Sequence, residues 1–226
     1  MESNHHYADR EYWDERFADE KEFEWLADFD VFKHLILPKI TPESRILHVG
    51  CGTSQISSRL YTMGFKNITN VDFSKVLVDA GRAAHPEIEW ICDDIRSLSK
   101  IPSDSFDVVL EKATLETLFV KEESSWSPSD YALQAIDDVL KSVTRVLTSQ
   151  GVFFSISFTQ PHFRVPALLR MPGWSITVDE FGESFHYYVY TMQLGEETSE
   201  EIRERFTSLA PDWGRPVAAT ELTSNE

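Results

Sequence analysis

Apolar positions along the chain follow two alternating rhythms. Short apolar runs of strand length fall at 45–49, 67–71, 88–92, 106–111 and 151–158. Between them, residues 54–63 and 74–84 carry apolar positions at helical spacing, and so do residues 29–37, which Pro38 ends. The crossover after the fourth run is long, and Ala132, Ile136, Val139, Val143 and Val146 recur through it at helical spacing. Runs at 174–181 and 185–192 close the pattern as a strand pair turning through Gly182. This alternation predicts an α/β fold, a doubly wound, seven-stranded, mostly parallel sheet. The closing pair predicts one antiparallel strand near an edge.

The flanks break the rhythm. Residues 1–40 are polar and aromatic, with Tyr12, Trp13, Phe17, Phe23 and Trp25 standing among many charges. Such a segment, placed before the sheet, reads as a lid folding over a ligand bound in the main domain at 41–195. In 196–226, Thr198-Ser-Glu-Glu201 is expected to box a short helix. Disorder is expected from Pro211 onward, because little there can be buried.

Composition narrows the function. A chain of 226 residues, 42% hydrophobic, is long enough for one α/β domain with a sizeable core. A net charge of −17 disfavours contact with a phosphate backbone, so no nucleic-acid acceptor is expected. Two cysteines, Cys51 and Cys92, give no disulfide framework and suit a reducing compartment. No apolar run approaches the roughly 20 residues of a membrane span, and the start of the chain has no targeting pattern. A cytoplasmic location follows as the expectation. His5-His6 lacks further ligands nearby, so no metal is expected.

The candidate chemistry lies in Ile46-Leu-His-Val-Gly-Cys-Gly-Thr-Ser-Gln-Ile-Ser57, where a strand runs into a glycine turn and then a helix. Gly50 and Gly52 allow a tight turn and close approach of a ligand. The following helix start suits an anion, phosphate or carboxylate. The second strand ends at Asp72, an acid placed to accept hydrogen bonds from ribose hydroxyls, and the third ends at Cys92-Asp-Asp-Ile95. A glycine turn and two acids on successive strand tips describe a pocket for an adenosine with a compact charged tail. Gln55 stands where a dinucleotide fingerprint has its third glycine, which weighs against a nicotinamide cofactor.

These residues resemble the motifs of class I S-adenosylmethionine-dependent methyltransferases: ILHVGCGTS the first, NVDFS the second, CDDIR the third. A narrower resemblance covers nearly the whole chain except the tail. YWDERF, Glu24-Trp25, FDVVLEKATLETL, PHFR and FHYYVYTM are similar to the methyltransferase-like family that modifies lysine in translation elongation factor 1-alpha. The resemblance implies S-adenosyl-L-methionine as cofactor, S-adenosyl-L-homocysteine as product, and elongation factor 1-alpha as the protein partner. It also implies that Trp13, Phe17 and Trp25 line the cofactor and that Gly50 faces its methionine end. Asp72 is implied to hold the ribose beside Phe73 at the adenine, and Asp94 and Ile95 the adenine edge. Lys112 matches the lysine after the fourth strand and is expected at the cofactor carboxylate. Glu111 is the candidate catalytic residue, expected to face the pocket and orient the incoming ammonium. Glu116 reads as an exposed helix residue. Phe17, Thr53 and Ala113 depart from the family, which commonly has tyrosine, asparagine and glycine there. A citrate synthase methyltransferase of the same family, a small-molecule methyltransferase and an inactive cofactor-binding scaffold remain as alternatives.

Overall fold

The computed structural model describes residues 4–217. Its seven strands are β1 (Ile46–Val49), β2 (Ile68–Asp72), β3 (Glu89–Cys92), β4 (Phe106–Lys112), β5 (Leu147–Ser157), β6 (Trp174–Phe181) and β7 (Tyr187–Leu194). They form one sheet in the order β3-β2-β1-β4-β5-β7-β6. The pairs from β3 to β5 are parallel, and β7 runs antiparallel to both β5 and β6. Strand order therefore reverses between β1 and β4, and a ligand crevice is expected beside the carboxyl ends of those two strands.

The helices are α1 (Arg10–Asp19), α2 (Phe29–Ile36), α3 (Ile56–Thr62), α4 (Lys75–Ala84), α5 (Asp130–Val146), α6 (Pro161–Leu168) and α7 (Glu200–Thr207). Side chains that compete with the backbone for its hydrogen bonds set their starts. Asp28 caps α2, Ser74 caps α4, Ser129 caps α5 and Ser199 caps α7, each accepting from a backbone N–H inside the first turn. On α5 the five residues at helical spacing are all fully buried, and Ile136, Val139, Val143 and Val146 pack into the core on one sheet face. The opposite face is covered by α2, α3 and α4 through Phe29, Phe32, Ile36, Ile56, Leu60 and Val78.

Two expectations change here. The 151–158 run is the end of a longer strand, because Leu147 already pairs with Phe106. Its polar start, Thr148-Ser-Gln, looks like a loop in sequence and falls where the β4–β5 register shifts, between the pairs Phe106–Leu147 and Val108–Val152. Disorder from Pro211 does not hold over 211–217. Pro211–Gly214 is a 3₁₀ turn that buries Trp213 edge-on to Phe119 (5.3 Å), with its indole donating to Ser125 O (2.9 Å). Arg170 donates to the carbonyls of Trp213 and Arg215, so one aromatic anchor and one cation hold the segment. Residues 218–226, also expected to be disordered, lie outside the described residues.

Within the segment 1–40, α2 belongs to the core, its Phe32 meeting Phe181 of β6 (5.3 Å). Residues 4–28 lie over the strand tips instead.

Candidate active site

A cleft of about 370 Å³ opens at the switch point, lined from the tips of β1 to β4 and from residues 4–26. All ten residues expected to hold the cofactor line it. Glu111, the expected catalytic residue, does not.

The turn after β1 forms the floor. Gly50 (φ +56°) and Gly52 (φ +50°) both adopt the left-handed conformation that disfavours a side chain. At Gly50 a Cβ would also stand 2.2 Å from Thr114. Thr114 fills that space by donating to the Val49 (3.3 Å) and Gly50 (3.1 Å) carbonyls, so it ties the β4 turn to the β1 turn. At Gly52 the nearest atom is the Phe17 ring, at 3.8 Å from such a Cβ.

Asp72 closes the β2 tip. Its carboxylate accepts from Gly52 N (3.1 Å) and Ser74 N (3.0 Å), one bond to each oxygen. A carboxylate has about four acceptor sites, so capacity remains for two hydroxyls. Burial pushes its pKa up to about 6, against the lowering effect of those N–H groups. Beside it, Phe73 faces the cleft with the Arg10 guanidinium 5.2 Å from its ring centre. Ile95 lines the wall at the β3 tip, its carbonyl held by Ser142. Asp94 is engaged by Arg96 through the backbone N–H (2.9 Å) and the guanidinium (2.6 Å). Burial acts to raise the Asp94 pKa, but Arg96 outweighs it and the carboxyl stays below its ordinary range.

The roof is aromatic. Trp13 and Phe17 project from one face of α1 and stack at 5.4 Å, and Trp25 meets Trp13 edge-on at 6.2 Å. The Trp13 indole donates to Tyr7 O (2.8 Å), which carries residues 4–8 into the same wall.

Lys112 differs from its expected role. Its ammonium, 2% exposed, pairs with Glu24 and donates to the carbonyls of Trp25 (2.8 Å) and Ala27 (3.1 Å). Glu24 in turn accepts from Ser54 Oγ (3.0 Å) and Gln55 N (2.6 Å). The anion at the start of α3 is thus the chain's own Glu24, and Lys112 latches residues 24–27 down. Sequence reasoning quoted Glu24 without a role. It lies in a run of acids where nothing local marks it, and only its partner 88 residues away does.

Glu111 is also corrected. It is fully buried, and one oxygen accepts from Thr114 N (2.9 Å) and Leu115 N (3.3 Å) while the other takes the Ser155 hydroxyl. It holds the turn after β4, in which Ala113 adopts φ +61°. Burial first, and then the Glu116 charge, push its pKa up to about 7. Strand alternation explains the miss: Lys112 points to the cleft, so its neighbour points away. Glu116 is corrected in the opposite sense, because it is nearly buried and lines the cleft.

The fit to S-adenosylmethionine rests on the cleft itself. Its volume is that of a small-molecule pocket, and buried Asp72 retains acceptor sites at the β2 tip. Aromatic faces, which attract a cation, form the roof. Switch-point sheet, glycine turn and acid-tipped strands define a class I S-adenosylmethionine-dependent methyltransferase. The family described as "Methyltransferase domain" matches residues 47–155. EEF1A lysine methyltransferase 4 of Bos taurus is 41% identical over 205 residues, covering 88% of this chain and 80% of that protein. The Mus musculus protein of that name is 40% identical over 201 residues, covering 86% and 78%. The chain belongs to the EEF1A lysine methyltransferase 4 family. Among solved structures, the N-methyltransferase NodS of Bradyrhizobium japonicum, bound to S-adenosyl-L-homocysteine, shares the fold at 16% identity. Its TM-score is 0.57, over 83% of this chain and 98% of that one.

Proposed function

We propose that the chain methylates a lysine of translation elongation factor 1-alpha, using S-adenosylmethionine held in the cleft. The observation that carries this reading is the 41% identity to EEF1A lysine methyltransferase 4 along 88% of the chain. Asp72 would hold the ribose, Phe73 and Ile95 would flank the adenine, and Gly50 and Gly52 would admit the methionine end. Asp94 reaches the adenine edge only by sharing its carboxylate with Arg96. Bound S-adenosylmethionine supplies an electrophilic methyl on a sulfonium leaving group. The protein's part is to align the acceptor amine and exclude water, which Trp13, Phe17 and Trp25 do by roofing the site. A lysine amine has an ordinary pKa of about 10.4 and must lose its proton before it attacks. Transfer from water into a site beside a positive charge lowers that value. Two free cysteines suit a cytoplasmic location. Among the described residues no helix is long and apolar enough to cross a membrane.

The test is incubation with radiolabelled S-adenosylmethionine and purified elongation factor 1-alpha, with Asp72→Ala as control. Label on a lysine, lost in the control, is the expected result. Cofactor binding without any labelled elongation factor would overturn the substrate assignment.

A further inference from the structure

Asp72 and Asp94 occupy the β2 and β3 tips, on one side of β1, whereas β4 and β5 lie on the other side. The cofactor-holding acids leave that second side of the cleft unassigned. Glu116, on the 3₁₀ turn Leu115–Leu118 after β4, forms part of its wall, as does Phe158 just beyond β5. The Glu116 side chain is 9% exposed and pairs with Arg164, which is 1% exposed. One carboxylate oxygen accepts from Arg164 Nη2, from Thr159 Oγ1 (3.4 Å) and from the Ser157 hydroxyl. The other, Oε2, has no hydrogen-bond partner among the described residues, and neither have Arg164 Nε and Nη1. A buried acceptor without a donor is unfavourable, and because Glu116 lines the cleft, a small turn of its side chain would bring Oε2 to a cation entering there. Phe158, 55% exposed, lies next to Ser157 at the mouth.

We infer that Glu116 receives the ammonium of the incoming lysine and that the Phe158 ring covers the lysine's aliphatic stem. This rests on the reading of the chain as a lysine methyltransferase. Arg164 matters in two ways. It fixes the carboxylate in place, and it balances the Glu116 charge. The incoming ammonium is therefore oriented by a hydrogen bond without being locked in as a cation, and its proton can pass to water. The neutral amine keeps one N–H on Oε2 and leaves its lone pair for the cofactor side of the cleft.

The test compares wild type, Glu116→Gln and the double variant Glu116→Gln/Arg164→Gln. The single variant leaves Arg164 buried without its counter-charge and is expected to lower Tm, whereas the double variant removes both charges. The expected result is a KM for elongation factor 1-alpha raised at least tenfold in both, a Kd for S-adenosylmethionine within twofold of wild type, and a Tm recovered in the double variant. Recovery of KM along with Tm would make Glu116 a purely structural partner of Arg164 and overturn the inference. So would a wild-type KM in the single variant. A second readout needs no turnover: n-butylamine titrated into each protein and followed by NMR. Saturable binding in the millimolar range to wild type, at least fivefold weaker in the double variant, supports the inference. Equal binding overturns it. If wild type leaves elongation factor 1-alpha unmethylated, the substrate reading fails by itself and the amine titration still decides the role of Glu116.

Discussion

At the scale of single residues, burial changes what the charged groups of the cleft can do. Asp72 has a pKa near 6 in the folded protein, so it passes from mostly neutral to mostly ionised between pH 5 and pH 7. An ionised carboxylate is the stronger acceptor for ribose hydroxyls. Affinity for S-adenosylmethionine should therefore rise with pH across that window and level off above it, as isothermal titration at pH 5, 6 and 7 would show. Neither His48 nor Asp94 titrates there, because burial holds His48 near a pKa of 3 and Arg96 keeps Asp94 ionised. In Asp72→Asn the pH limb should vanish and binding should weaken about tenfold or more, the loss of a hydrogen bond to a charged group being about 1.5–3 kcal/mol. Lys112 makes a separate prediction. Replacing it with Met leaves Glu24 without its cation and frees the Trp25 and Ala27 carbonyls. Removal of one partner of a largely buried pair costs about 3 kcal/mol. Hydrogen exchange should show the loss as faster exchange in residues 20–28 than in β4. A uniform change along the chain would contradict the latch.

At the scale of elements, the turn from β4 into the cleft wall joins fold to site. Glu111 binds the turn, Thr114 binds the β1 glycine turn, and Ala113 between them sits in a left-handed conformation that costs an L-residue about 1–2 kcal/mol. Stability should report on this arrangement through pH. Folding raises the Glu111 pKa from 4.5 to about 7, so between those values the native state binds the extra proton. Its contribution is then fully present below about pH 4.5 and is lost as pH rises toward 7. Urea unfolding at pH 5 and pH 8 should show a steeper fall for wild type than for Glu111→Gln. Parallel pH profiles would place the titration elsewhere. This turn also shows how far sequence reaches. The glycine turn was legible because backbone conformation demands glycine, and the strand tips were legible because alternation and chain order fix them. Glu111 lies away from the cleft and Glu116 on its wall, and sequence could not place them because their partners Ser155, Ser157 and Arg164 lie more than 40 residues away. One signal existed: Arg164 stands in the apolar run Phe163–Leu169, and a cation so placed needs a buried partner.

At the scale of the whole molecule, the acidic surface becomes a statement about the acceptor. Tertiary anchors that composition cannot show, such as Trp213 and Glu24, decide which flanks join the fold, but net charge is set by the sequence alone. A protein of net charge −17 attracts a positively charged partner segment at long range, and a target lysine contributes charge to such a segment. Complementarity of this kind acts chiefly on encounter and is screened over about 10 Å at 0.1 M salt. The kcat/KM for elongation factor 1-alpha should therefore fall as sodium chloride rises from 50 to 300 mM, over which the reach of charge shortens roughly 2.4-fold. The change should lie mainly in KM, because charge complementarity of this kind acts on encounter rather than on the transfer step. The Kd for S-adenosylmethionine, measured over the same range, should move much less if that ligand sits in the cleft against buried Asp72 and the glycine turn, as proposed. A kcat/KM indifferent to salt would mean that the acceptor docks through apolar contacts, and the exposed rings at the cleft mouth, Phe158 and Tyr131, would then be the first positions to substitute.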